Sequence, residues 1–119
     1  MNVNAFNGRY VYIDHEPYEV KRAFIAANNS GDNTIVAAVT GKRIRVLSWD
    51  LTIQVTGGWT WKSSTTSNRT GTMAASATFG YSAPFNPFGH FQTVAGELLN
   101  LNTSGVINAA GHLTYIEVP

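Results

Sequence analysis

Residues 47–55 alternate without a break: Leu47, Trp49, Leu51, Ile53 and Val55 fall on one side, and Ser48, Asp50, Thr52 and Gln54 on the other. A period of two carried by aliphatic, aromatic and β-branched residues marks a half-buried strand, because successive side chains of an extended backbone point to opposite faces. On a helix the same residues would scatter around the cylinder. The run sits at the end of a longer unit. A short strand over residues 34–39, a tight turn at Thr40-Gly41 and one long strand over 42–55 are predicted, together forming a hairpin.

The rest of the chain repeats this logic in shorter pieces. Arg9 to Ile13 reads as a strand with Tyr10 and Tyr12 on one face, after a turn at Asn7-Gly8. Pro17 limits the next segment to an edge or a strand start, and a strand then continues to Ile25. Gly57-Gly58 suits the positive φ angles of a two-residue hairpin turn, followed by a strand with Trp59 and Trp61 on one face. Residues 73–79 form a weaker strand candidate. Residues 80–91, GYSAPFNPFGHF, hold two prolines that lack an N–H, so they predict an ordered connection crossing the sheet. Strands with Leu99 and Leu101 on one face, and with Leu113 and Tyr115 on one face, complete the chain. Short strands with turn signals every 8–12 residues or so predict an all-β fold, a single antiparallel sandwich. Residues 31–119 are its body, and residues 1–30 an N-terminal arm or edge segment.

A chain of 119 residues suits one domain with one core. Eight Lys and Arg against seven Asp and Glu leave a net charge of +1, too little for an electrostatic grip on nucleic acid. The one basic cluster, Lys42, Arg43 and Arg45, reads as a polar strand start that discourages stray pairing. Without cysteine there is neither a disulfide framework nor a thiolate zinc site. No basic stretch followed by an apolar run opens the chain, and no window has the apolar length of a membrane span. Neither a signal peptide nor a membrane is expected, and folding in a reducing cytoplasm is.

Catalytic groups are sparse. Asp14-His15-Glu16 is the one dense cluster of acids and imidazole, and strand neighbours point apart, so a shared metal is not expected there. Glu97 and Glu117 would be candidates for a carboxylate pair of the glycosidase kind, with nothing to prefer that over two surface acids. Neither a nucleophile elbow nor a phosphate loop is present. No cofactor, metal or catalytic residue is predicted, and the chain is not read as an enzyme. The aromatics Trp59, Trp61, Tyr81, Phe85, Phe88 and Phe91 suit a core and an interface, or alternatively a stacking platform for sugar rings.

Taken in order, GDNTIVAAVTGKRIRVLSWDL, TWKSS, SAPFNPFGHFQTVAGELLNLNTSG and GHLTYIEV form a pattern. It resembles small β-sandwich structural proteins of tailed bacteriophages, namely capsid decoration (cement) proteins and related spike or fibre modules. The resemblance covers roughly residues 31–118. It implies a jelly-roll-like fold, self-association (trimers favoured, dimers allowed) and a passive place on the capsid surface of a virion assembled in the host cytoplasm. It also implies the major capsid protein as partner. Phe6, Tyr10 and Tyr12 of the N-terminal segment, with Trp59, Phe85 and Phe88, are the candidates for contact with the capsid or a neighbouring copy. The alternative is a receptor- or glycan-binding module of a tail fibre or spike, using Trp59, Tyr81 and Phe88.

Overall fold

The computed structural model describes residues 9–119. Among these the regular elements are twelve strands and no helix: β1 (Tyr10–Ile13), β2 (Glu16–Glu19), β3 (Lys21–Ala27), β4 (Gly31–Val36), β5 (Arg43–Thr52), β6 (Gly57–Ser63), β7 (Ser67–Asn68), β8 (Met73–Ala75), β9 (Gly80–Ala83), β10 (Phe91–Gln92), β11 (Leu99–Thr103) and β12 (Ala109–Val118). One sheet runs β10-β5-β12-β3, with β9 also on β5. The second runs β4-β11-β6-β7, with β8 on β6. Every pairing is antiparallel. The all-β sandwich predicted from the alternation is the observed fold.

Its core lies between the sheets. Trp49 of β5 meets Trp59 and Trp61 of β6 edge to face, with centroids 6.5 and 5.5 Å apart. Leu51, Ile53, Leu99, Leu101 and Leu113 fill the space around them. Edge-to-face geometry places the positive ring edge against the negative face, adding to the burial of large apolar area.

Two predicted hairpins are corrected. β4 and β5 flank the Thr40-Gly41 turn but belong to opposite sheets, so the turn carries the chain from one layer to the other. Strand ends there are trimmed: the ladder stops at Val36 and resumes at Arg43. Gly57 and Gly58 likewise sit inside β6 and not in a turn. They are needed for close approach, since a Cβ on Gly57 would meet Ile107 Cγ2 at 2.5 Å and one on Gly58 would meet the Met73 carbonyl at 3.0 Å.

A bulge changes the reading of β5. Thr114 of β12 stands opposite Ser48 and Tyr115 opposite Val46, leaving Leu47 as the extra residue. An extra residue shifts the phase of alternation. Ile44 and Val46 therefore face the inter-sheet core before it, and Trp49, Leu51 and Ile53 after it. Leu47, predicted to share their face, lies in a separate cluster with Val11, Ile116 and Val118. That second cluster is the floor on which the β1–β2 hairpin rests, with Ile13, Tyr18 and Val20 around it. Val55, at the end of the predicted run, is past the strand and 48% exposed.

Within the first 30 residues, β1 and β2 form this small hairpin, and β3 is the edge strand of the β5 sheet. The hairpin turns at Asp14-His15, both at positive φ (51° and 67°), as a two-residue turn matched to strand twist requires.

Candidate docking surface

One stretch of chain tracks the outer edge of β5 from end to end. Ile53 donates its N–H to the Phe79 carbonyl, β9 then pairs with β5 from Thr52 to Trp49, and β10 pairs with it at Val46 and Arg45. Between β9 and β10, Pro84 and Pro87 have no N–H to give to a ladder. The loop is held by other means. Asn86 N donates to the carbonyl of Leu47, the bulge residue, at 2.9 Å, and His90 N to Val46 O at 2.8 Å.

Inside the loop, Asn86 organises the turn. Its side-chain Oδ1 accepts from Phe88 N at 3.0 Å, and its carbonyl accepts from Gly89 N at 2.9 Å. His90 Nε2–H donates back to the Pro84 carbonyl at 2.7 Å, closing the loop on itself. Gly89 stands at φ +87° with Arg45 directly behind it: a Cβ there would meet Arg45 Cγ at 2.5 Å. Both the backbone angle and the space demand glycine.

The result is a fixed loop displaying Phe85 (40% exposed) and Phe88 (72% exposed). Along the same edge, Phe79 and Tyr81 are also partly open to solvent, and Tyr81 stacks on Trp49 at 4.7 Å. Exposed aromatics on a pre-ordered backbone can bury large area against a partner at little entropic cost.

The other predicted contact residues fare differently. Tyr10 and Tyr12 are half-buried and alternate with the buried Val11, and the Arg9 guanidinium lies 5.6 Å from the Tyr10 ring centroid. Phe6 and the Asn7-Gly8 turn lie outside the described residues. Trp59 is a correction: at 1% exposure it belongs to the core and has no surface to offer. Its alternation with Thr60 identified a face, but which layer that face meets is set by tertiary packing.

Sequence reasoning missed a row on the outer face of the β5 sheet. Ser82, Asp50, His112 and Phe24 are successive cross-strand neighbours on β9, β5, β12 and β3. Ser82 Oγ donates to Asp50 Oδ1 at 2.5 Å, and His112 Nε2 lies 3.3 Å from Asp50 Oδ2. The carboxylate is in the middle, so the imidazole does not reach the serine hydroxyl. A base-activated nucleophile needs the opposite order. Only the outward parity of Asp50 and His112 hinted at this row in the sequence.

Other acids have structural partners. Glu97 Oε1 accepts from the buried Ser63 hydroxyl at 2.6 Å, and Glu117 pairs with Lys21 at 3.3 Å. Asp32 Oδ1 accepts from Asn100 and Asn102, bonds that hold its carboxyl below the ordinary value of 3.8. The Tyr115 phenol is pushed up by burial and, second, by Glu117. Among the described residues no three His, Asp or Glu side chains gather as metal ligands. No protein-family model, curated protein or solved structure matches this chain.

Proposed function

We propose that the chain is a virion structural protein, a capsid decoration (cement) protein that binds and stabilises the assembled head of a tailed bacteriophage. Its partners are the major capsid protein and other copies of itself, and it acts by docking. The resemblance in residues 31–118 supplies the class of partner. The observation that carries the reading is the fixed loop of residues 84–90, with Phe85 and Phe88 presented to solvent on a backbone tied to β5.

A lattice partner that closes over two phenyl rings favours the folded, assembled state of both components by mass action. The low charged content of the chain, 13% of its residues, suits this role, since few ions need desolvation on docking.

The test is sedimentation of the purified protein with heads that lack it. Copies bound should rise in fixed proportion to the capsid subunit. Phe88→Ala should weaken binding about tenfold or more, the effect of losing about 1.4 kcal/mol at a hot spot. Tyr10→Ala and Tyr12→Ala test the arm more cleanly than removing residues 1–16, because that deletion also takes the buried Val11. Absence of saturable binding to heads overturns the reading. The alternative, a glycan- or receptor-binding module of a tail fibre or spike, retains Tyr81 and Phe88 as exposed rings but loses Trp59 to the core. A glycan-array signal abolished by Tyr81→Ala would favour it.

A further inference from the structure

The two sheets end in edges of unequal character. In the β5 sheet, the far edge is occupied by β9, β10 and the proline loop. In the β6 sheet, one edge is β7 and β8, of two and three residues, and the other is β4, interrupted by a bulge at Ile35. β3 is different. It pairs with β12 in unbroken register from Lys21↔Tyr115 to Ala27↔Ala109, contains no proline, and has no strand on its other side among the described residues. Folded proteins ordinarily blunt such an edge. Phe24, at the middle of its seven residues, is 87% exposed, beside a groove of ≈ 560 Å³ lined by Arg22, Phe24 and His112.

We infer that the free edge of β3 is where a second copy of this chain adds, antiparallel and about a twofold axis through Phe24. Three features select a second copy. First, this register pairs all seven residues, and any even shift pairs fewer. Second, it is sterically self-complementary. On the core side Ile25 of each copy falls opposite Ala23 of the other, large against small, with Ala23 the partly open position of that face. On the outer side Phe24 meets Phe24, a cross-strand aromatic pair that covers both rings. Third, charge permits it. Lys21 is engaged by Glu117, and the two copies of Arg22 stand about 14 Å apart, four residues at about 3.4 Å each. That is beyond the screening length of about 8 Å at physiological salt. An isologous contact of this kind closes on itself and does not propagate.

The inference rests on the self-association in the reading above, and its test uses isolated protein, so its failure leaves capsid docking untouched. Sedimentation from about 1 µM to about 500 µM, the span suited to a small interface, should show the mass rising toward twice the 12.9 kDa of one chain. Phe24→Glu should hold it at one chain with an unchanged circular dichroism spectrum. The chain has no cysteine, so Phe24→Cys gives an independent reading. Mild oxidation should link two copies at that position, where the side chains approach within disulfide reach, and Val106→Cys, exposed elsewhere, should stay unlinked. Wild-type protein at one chain throughout overturns the inference. So does an assembly that survives Phe24→Glu, equal linking at both cysteines, or β3 amides that become protected only when capsid protein is added.

Discussion

The outer face of the β5 sheet has two halves built from the same strands, and they have opposite fates. Near the end of β12, Leu47, Ile116 and Val118 lie buried under the β1–β2 hairpin with Val11. Toward its start, Asp50, His112 and Phe24 face solvent. Ser48 and Thr114 mark the border, their hydroxyls 2.6 Å apart. The outward residues of β12 read Ala110, His112, Thr114, Ile116, Val118. That switch from polar to apolar falls where cover begins. The comparison teaches that a long strand can bury its inner face along one stretch and its outer face along the next.

The largest test of this contrast sets the two halves against each other. Ile116→Ala should cost about 2–5 kcal/mol in denaturant unfolding, as cavities under cover do. Phe24→Ala, on protein dilute enough to be a single copy, should stay within about 0.5 kcal/mol. Equal costs would mean the open half is covered in solution. Next, Val11→Thr puts a hydroxyl against the floor and should cost about 1–3 kcal/mol, with hydrogen exchange rising first in β1 and β2. If exchange rises evenly over the sandwich, the hairpin is not a separate cover.

At the border, Thr114→Val removes one partner of the Ser48 hydroxyl and should cost about 0.5–1.5 kcal/mol, read from the unfolding midpoint. The smallest effect is a control on the other sheet. Asp32 has its folded pKa held down by Asn100 and Asn102, so its contribution is present above 3.8 and is lost as pH falls through the lower folded value. Asp32→Asn should flatten that acid limb of the stability curve without altering the response of either half of the β5 sheet. An unchanged limb would remove Asp32 from the account.

Much of the fold was legible because alternation is local. The strands around Trp49, Trp59, Leu101 and Leu113 follow from their own residues. Pro84 and Pro87 announced that residues 80–91 could not be a regular central strand, and they form a short strand, a fixed loop and a two-residue bridge. The bulge at Leu47 was not legible, because apolar residues at 46, 47, 49 and 51 fit a strand in either phase. Burial of Trp59 and exposure of Phe24 were equally hidden, since both are large aromatics in alternating strands.

The sequence by itself determined an all-β chain without disulfides and most of its strand faces, because backbone geometry ties side-chain direction to position along the strand. Which sheet each strand joined, where the hairpin came to rest and which aromatics stayed in water were decided only by tertiary structure. Those outcomes depend on contacts between residues far apart in the chain, such as Val11 with Ile116 or Asn86 with Leu47, and no local pattern encodes them.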